Sequence, residues 1–223
     1  DTSNILSLAN SYTDLAGNAG VTAQTANYSI DTLAPTAAIT YDSDSPYKDA
    51  DTVIITATFS QAMADSPVPQ IVITGSGIAN VAATNMTKIS TTVYTFEYDV
   101  PTGDGTGTIT LATGTDPSGN LVTATPTSGA TFTVDNTTLT VNTFTLSDSS
   151  LLVGETATVT LVFSEQVTAF SSDDDITVQN GTLSAMTSSD NITWTGTFTP
   201  STNIEDTSNI LSLANSYTDL AGN

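Results

Sequence analysis

The sequence has no cysteine and no histidine among its 223 residues, and its only cationic side chains are Lys48 and Lys88. It can therefore form no disulfide, no thiolate or imidazole metal site, and no thiol or imidazole nucleophile. The absence of arginine removes the side chain that most often clamps phosphate groups. Carboxylates, hydroxyls and two amines remain, so we expect no enzyme and favour a binding or structural module.

Positive charge is scarce, because 2 Lys+Arg stand against 23 Asp+Glu for a formal net charge of −21. This balance excludes nucleic acid as a partner. Hydrophobic residues make up 38% of the chain, which suffices for the cores of β-sandwich domains. The sequence has no run of about 18 apolar residues, so we expect no membrane insertion.

An internal repeat is the strongest pattern in the sequence. Residues 1–18 and residues 206–223 both read DTSNILSLANSYTDLAGN, at a distance of 205 residues. Such identity indicates recent duplication in a larger tandem protein. The sequence is thus interpreted as one full period of a longer array plus an overlap of 18 residues.

A weaker period divides the first one. The pairs Ile30-Asp31 and Val134-Asp135, and Phe59-Ser60 and Phe163-Ser164, lie 104 residues apart, and Asp116 precedes Asp219 by 103. Each period therefore holds two modules of roughly 100 residues, the size of one sandwich domain. We predict the C-terminal strands of a preceding module at 1–32, a complete first module at 33–136, and a second module at 137–223 that lacks its last strand.

Short stretches that alternate apolar residues with threonine or other polar residues predict β-strands, and clusters of Gly, Pro, Asp and Ser separate them. The predicted strands are 53–59, 70–74, 93–98 and 108–112 in the first module, and 156–163, 176–178, 194–198 and 210–213 in the second. No stretch has a sustained helical period. The fold class is therefore all-β, with tandem immunoglobulin-like (Greek-key) β-sandwich modules of about seven strands each.

Without disulfides, each module must be stabilised by its hydrophobic core. Aromatic and aliphatic residues on the predicted strands are expected to fill the two cores. The expected core residues are Phe59, Ile71, Tyr94, Phe96, Ile109 and Phe132 in the first module, and Val159, Phe163, Trp194, Phe198 and Leu211 in the second.

Several segments together resemble a known family. The linker DTLAPT, the strand GETATVTLVFSE, the segment WTGTFTP and the turn TDLAGN are similar to the bacterial Ig-like tandem repeats of giant secreted (RTX-type) adhesins and related surface proteins. The resemblance covers essentially the whole chain, although Gln61 stands where the second module has Glu165. It implies an extracellular location at the bacterial cell surface, and repeats that depend on calcium at the boundaries between neighbours.

Sandwich topology predicts that acidic residues converge at the module boundaries, because the loop between the sixth and seventh strands lies near the incoming linker. Crowded carboxylates repel one another unless a cation bridges them, and Ca²⁺ binds six to eight oxygen ligands. The predicted metal ligands are Asp31, Asp49, Asp51, Asp104, Asp116, Asn120, Asp135, Glu155, Glu165, Asp206, Asp219 and Asn223. A simpler interpretation of TDPSGN and TDLAGN is an Asx turn with glycine at positive φ and no metal.

Two functions of different class are compatible with these patterns. The favoured one is a calcium-rigidified extender or stalk module of a large surface adhesin or extracellular fibre. Its partners would be neighbouring copies of the repeat, joined head to tail by strand complementation. The alternative is a recognition module whose exposed loops, such as 62–69 or 171–175, bind carbohydrate or protein; any surface glycan or protein ligand of the parent protein would otherwise bind elsewhere.

Overall fold

The computed structural model describes residues 4–223, and its regular structure is almost entirely antiparallel β-sheet. The first three residues of the repeated segment 1–18 therefore lie outside the described residues. The only helix in the described range, α1 (Ser172–Asp175), is four residues long. No helix in this range is long and apolar enough to cross a membrane. The prediction of an all-β fold is confirmed.

The first module is a sandwich of two four-stranded sheets. Its strands, numbered after two short strands of the N-terminal segment, are β3 (Ala37–Tyr41), β4 (Thr52–Phe59), β5 (Gln70–Ser76), β6 (Val81–Asn85), β7 (Thr87–Lys88), β8 (Val93–Asp99), β9 (Gly105–Leu111) and β10 (Thr131–Val134). One sheet has the order β3-β4-β8-β7 and the other β10-β9-β5-β6, which is the immunoglobulin-like arrangement.

The second module keeps the first sheet of this layout but not the whole of the second. Its strands are β11 (Val141–Leu146), β12 (Ala157–Phe163), β13 (Val167–Thr168), β14 (Ile176–Val178), β15 (Gly181–Leu183), β16 (Thr193–Pro200), β17 (Leu211–Leu213) and β18 (Thr218–Asp219). One sheet has the order β11-β12-β16-β15, and β14-β17 and β13-β18 are two separate short pairs. Within the described chain no strand pairs with β17 where β10 pairs with β9 in the first module, and none pairs with β14 where β6 pairs with β5.

Strand alternation produces two separate cores. In β4, Val53, Ile55, Ala57 and Phe59 are buried while Thr52 and Thr58 are exposed, as a period of two requires. Most of the expected core residues are buried. Phe96, Trp194 and Leu211 are instead half-buried at the edges of the cores.

These three exceptions have two local causes that the structure makes visible. The edge strand β7 pairs only with Tyr94 and Thr95, so Phe96 is flanked by β4 on one side alone. Leu211 belongs to β17, which pairs with β14 alone among the described strands. Trp194 contacts the ring of Phe170, which is a core residue although it lies in a loop.

The N-terminal segment forms its own small hairpin. Strands β1 (Ser7–Leu8) and β2 (Ala23–Gln24) pair through two residues each. Its apolar side chains, among them Leu6, Val21 and Ile30, are exposed. This hairpin therefore buries no core of its own.

Candidate functional site

Three loops of the chain share one turn built on an aspartate. Asp116 accepts backbone hydrogen bonds at Oδ1 from Ser118 N (2.9 Å) and Asn120 N (2.9 Å), and Asn120 Nδ2 donates to Oδ2 (2.8 Å). Asp219 and Asn223, like Asp14 and Asn18, repeat this pattern. A glycine at positive φ completes each turn. These contacts are those of an Asx turn, so both residues have a structural role in every copy.

In two of the three turns the same asparagine also contacts a linker. Asn120 Nδ2 donates to the carbonyl oxygen of Asp31 (3.1 Å), and Asn223 Nδ2 donates to that of Asp135 (2.9 Å). We call the first contact region, around Asp31, Gln61 and Asp116, the first junction. The region around Asp135, Glu165 and Asp219 is the second junction, which lies between the two modules.

The second junction brings three predicted ligands together. Asp135, Glu165 and Asp219 each offer a carboxylate oxygen, and these oxygens lie within 4.8 Å of one another. A cavity of about 200 Å³ adjoins them, lined by Asp135, Glu165, Gln166, Leu220 and, from the first module, Pro46. Glu165 Oε1 is shielded from solvent and has no hydrogen-bond partner among the described residues.

Electrostatics differ sharply between the junctions. Burial and the neighbouring carboxylates of Asp135 and Asp219 raise the pKa of Glu165 above its ordinary value. Burial acts to raise the pKa of Asp116 as well, but the hydrogen bonds from Asn120, Ser118 and Gly119 outweigh it and hold that pKa below 3.8. The second junction thus concentrates like charge that its own donors do not neutralise.

Asn136 organises a neighbouring set of predicted ligands. Asn136 N donates to Asp104 Oδ1, and Asp49 N donates to Asn136 Oδ1. Asp49 and Asp104 therefore lie next to Asn136 at the second junction. They do not belong to the group formed by the carboxylates of Asp135, Glu165 and Asp219. Lys48 Nζ donates to the carbonyl oxygen of Gly222 and so links the two modules directly.

The remaining predicted ligands close local turns. Asp51 Oδ2 accepts from Lys48 N (2.9 Å), and Glu155 Oε2 accepts from Leu152 N (2.8 Å) at the equivalent turn of the second module. Asp206 Oδ2 accepts from Asn180 Nδ2 (3.0 Å) at the far end of that module. These three carboxylates do not join the group at the second junction.

Sequence reasoning missed two contributors to the junctions. Gln61 Nε2 donates to Asp116 Oδ2 (2.7 Å) and to the carbonyl oxygen of Leu33 (2.9 Å). The sequence signal for Gln61 was that it occupies the position in the first module equivalent to Glu165 in the second. For Lys48 the signal was its rarity, since it is one of two cations in the chain.

The two loops predicted as alternative binding sites for carbohydrate or protein are held in place by burial and hydrogen bonds. In the loop 171–175, Asp175 is buried and accepts hydrogen bonds from Ser171 N (2.8 Å) and from Ser216 Oγ. In the loop 62–69, Met63 is buried and Ala64 N donates to the carbonyl oxygen of Thr115. Each loop thus covers part of a core.

Strand order and paired sheets define the class of this protein as an immunoglobulin-like β-sandwich. More narrowly, residues 135–223, which include the second module, match the family model described as the bacterial Ig-like domain. The first module shares the strand order of its first sheet. A comparison with curated proteins found no match.

Proposed function

We propose that this chain is an extender section of a bacterial surface or extracellular protein, in which Ig-like modules stand in a row and a calcium ion stiffens the second junction. The module class supports the first part, because bacterial Ig-like domains are often extracellular or associated with surfaces. Lack of thiol, imidazole and guanidinium chemistry also favours a mechanical role over catalysis. The finer identity, a stalk of a large adhesin or a fibre, rests on the resemblance and the repeat.

One observation carries the calcium proposal. Glu165, Asp135 and Asp219 offer carboxylate oxygens within 4.8 Å of one another, and Glu165 Oε1 is shielded without a donor. Three carboxylates at this distance repel strongly, and the nearby Lys48 amine is directed to Gly222 O. A hard cation with flexible coordination suits an all-oxygen site of this kind. These three residues would hold the ion, and it would join the linker to two loops of the second module.

Replacing Glu165 with glutamine tests this site. Wild-type protein is expected to gain about 2.7 kcal/mol of unfolding free energy when calcium is present at roughly 100 times its dissociation constant. Glu165→Gln should lose this gain. Without calcium the variant should be at least as stable as wild type, because one carboxylate leaves a repulsive group. Calorimetric melting with calcium and with a chelator measures both effects.

Glu155→Gln is the matched control, since Glu155 occupies a turn at the other end of the same module. It should keep the full response to calcium. Small-angle scattering of wild type should show a longer or straighter particle with calcium than with chelator. An equal calcium response in Glu165→Gln and wild type, or no response in wild type, would contradict the proposed site.

The free edge of β17 supports a further part of the proposal, head-to-tail joining of copies. A cavity of about 820 Å³ lies beside this edge, and apolar residues including Val153, Phe198, Ile204 and Ile210 line it. Ile210 is 62% exposed. The position matches that of β10 in the first module, so a strand of the β10 type would cover it.

Residues 19–32 of a neighbouring copy supply such a strand. Tyr28 and Ile30, in YSID, occupy the positions of Phe132 and Val134, in FTVD. They follow a turn whose described residues 4–18 are identical to 209–223. The β1–β2 pair and hydrogen bonds such as Tyr28 N to Asn4 O hold the segment in its own hairpin. Because Val21, Tyr28 and Ile30 are already exposed there, releasing the segment uncovers no buried apolar side chain.

Sedimentation velocity at increasing protein concentration tests strand complementation. Wild type is expected to form a ladder of head-to-tail species, and Tyr28→Asp should suppress it because a charge would take the place of an aromatic ring beside apolar lining residues such as Phe198 and Ile210. Leu15→Asp changes a fully exposed apolar residue of the same N-terminal segment outside the donated stretch and should leave the ladder intact. A folded wild-type protein that is monomeric at every concentration would refute this mode of joining.

A further inference from the structure

The two junctions are built from the same parts. Each has a linker aspartate, an Asx turn whose asparagine donates to that aspartate's carbonyl oxygen, and one residue from the loop after the second strand. In the first junction this last residue is Gln61, and in the second it is Glu165, 104 residues later. The two side chains differ only in that glutamine has an amide NH₂ group where glutamate has a carboxylate oxygen.

That difference changes the hydrogen bonding at the aspartate of the turn. Gln61 Nε2 donates to Asp116 Oδ2 (2.7 Å) and also to the carbonyl oxygen of Leu33 (2.9 Å). Asp116 is 2% exposed, and its carboxylate receives four hydrogen bonds in all. The amide thus satisfies the buried carboxylate from within the chain.

Glu165 provides no such donor when it is ionised, because a carboxylate only accepts hydrogen bonds. Its Oε1 is shielded and unpartnered among residues 4–223. Asp219, at 2% exposed, therefore has its Asx-turn donors but no counterpart of the Gln61 amide. The first junction supplies its buried carboxylate with four hydrogen bonds, whereas the second leaves Glu165 Oε1 without a donor and directs the Lys48 amine to Gly222 O.

We infer that Gln61 makes the first junction independent of metal: its amide occupies the role that the cation has at the second junction, so calcium-dependent and hydrogen-bonded junctions alternate along the array. This inference rests on the proposed function for the second junction. In the tandem array that the 205-residue repeat predicts, calcium would then stiffen one junction per period. The remaining junction keeps its geometry at any calcium concentration.

Calcium stoichiometry of exchange variants tests the inference. Isothermal titration of the full chain with calcium chloride is expected to give one ion for wild type, none for Glu165→Gln, two for Gln61→Glu, and one for the double variant. Gln24→Glu adds a carboxylate to the exposed strand β2 and serves as the control for charge alone, with one ion expected. Circular dichroism establishes that each variant is folded.

Two comparisons separate the outcomes. The difference between wild type and Glu165→Gln judges the proposed calcium site. The difference between Gln61→Glu and wild type judges the present inference: an additional ion supports it, and no additional ion overturns it. Wild type binding two ions, one of them retained in Glu165→Gln and lost on Asp116→Asn, would overturn it as well. Should Gln61→Glu fail to fold, the first-module melting transition of Glu165→Gln carries the test: a transition that calcium leaves unchanged supports the inference, and a calcium-dependent rise in it overturns the inference.

Discussion

Replacing Phe132 with alanine is expected to lower the unfolding free energy of the first module by about 3–5 kcal/mol. Phe132 is 3% exposed, and its ring lies 6.0 Å from the rings of Tyr41 and Tyr47 and 5.4 Å from that of Tyr98, centroid to centroid. It also covers Gly107, where a Cβ atom would collide with the ring. Truncation would leave a cavity between two rigid sheets, which cannot collapse around it.

Two optical signals distinguish the modules in this experiment. The single tryptophan, Trp194, packs against the second core, so its fluorescence follows that module during urea unfolding. Tyrosine fluorescence and circular dichroism include the first module. Phe132→Ala should move the first-module transition and leave the tryptophan transition in place. Tyr28→Ala, at the matching position of the exposed hairpin, should move neither; an equal effect of both changes would contradict the assigned core.

Asp116→Asn is the second change with a large expected effect. The substitution places an amide group among four donors that now converge on the carboxylate, from Ser118, Asn120 and Gln61. At pH 7 we expect the first module to melt roughly 10 °C lower or more. Asp14→Asn makes the same change in an exposed copy of the turn and should leave this transition unchanged.

The pH dependence of the Asp116 effect has a definite sign. Hydrogen bonds hold the folded-state pKa of Asp116 below 3.8, so its ionised form stabilises the fold above that pH. This contribution is lost as pH falls from about 3.8 through the lowered pKa. The difference in melting temperature between wild type and Asp116→Asn should therefore shrink on acidification. A difference that stays constant from pH 7 to pH 2 would refute the assigned role.

Local sequence determined most of the fold. The alternation of apolar residues with threonine in 53–59 specifies which face of β4 is buried, and the spacing Asp-x-x-Gly-Asn specifies the Asx turn at Asp116 and Asp219. Both features depend on residues that are close in sequence. Their recurrence at an offset of about 104 residues also revealed the two modules before any contact was known.

Contacts between distant loops could not be read in the same way. Gln61 meets Asp116 across 55 residues, and Lys48 meets Gly222 across 174. The alternation of apolar and polar residues along a strand predicts which face of the sheet a side chain occupies. It does not predict which loop atoms contact one another at the end of a sandwich. For the same reason, the sequence predicts twelve residues as metal ligands at the module ends. In the structure only three of their carboxylates lie together, at the second junction, and Asp51 and Glu155 accept hydrogen bonds within local turns.

The scarcity of lysine limits where trypsin-like proteases can cleave this protein. A protease of trypsin-like specificity cleaves after lysine or arginine, and this chain offers it two such residues in 223. Lys48 is directed to Gly222 O between the modules, and Lys88 pairs with Asp65. Cleavage after Lys48 requires that this contact open, so the rate of that single cut reports how often the contact between Lys48 and Gly222 breaks.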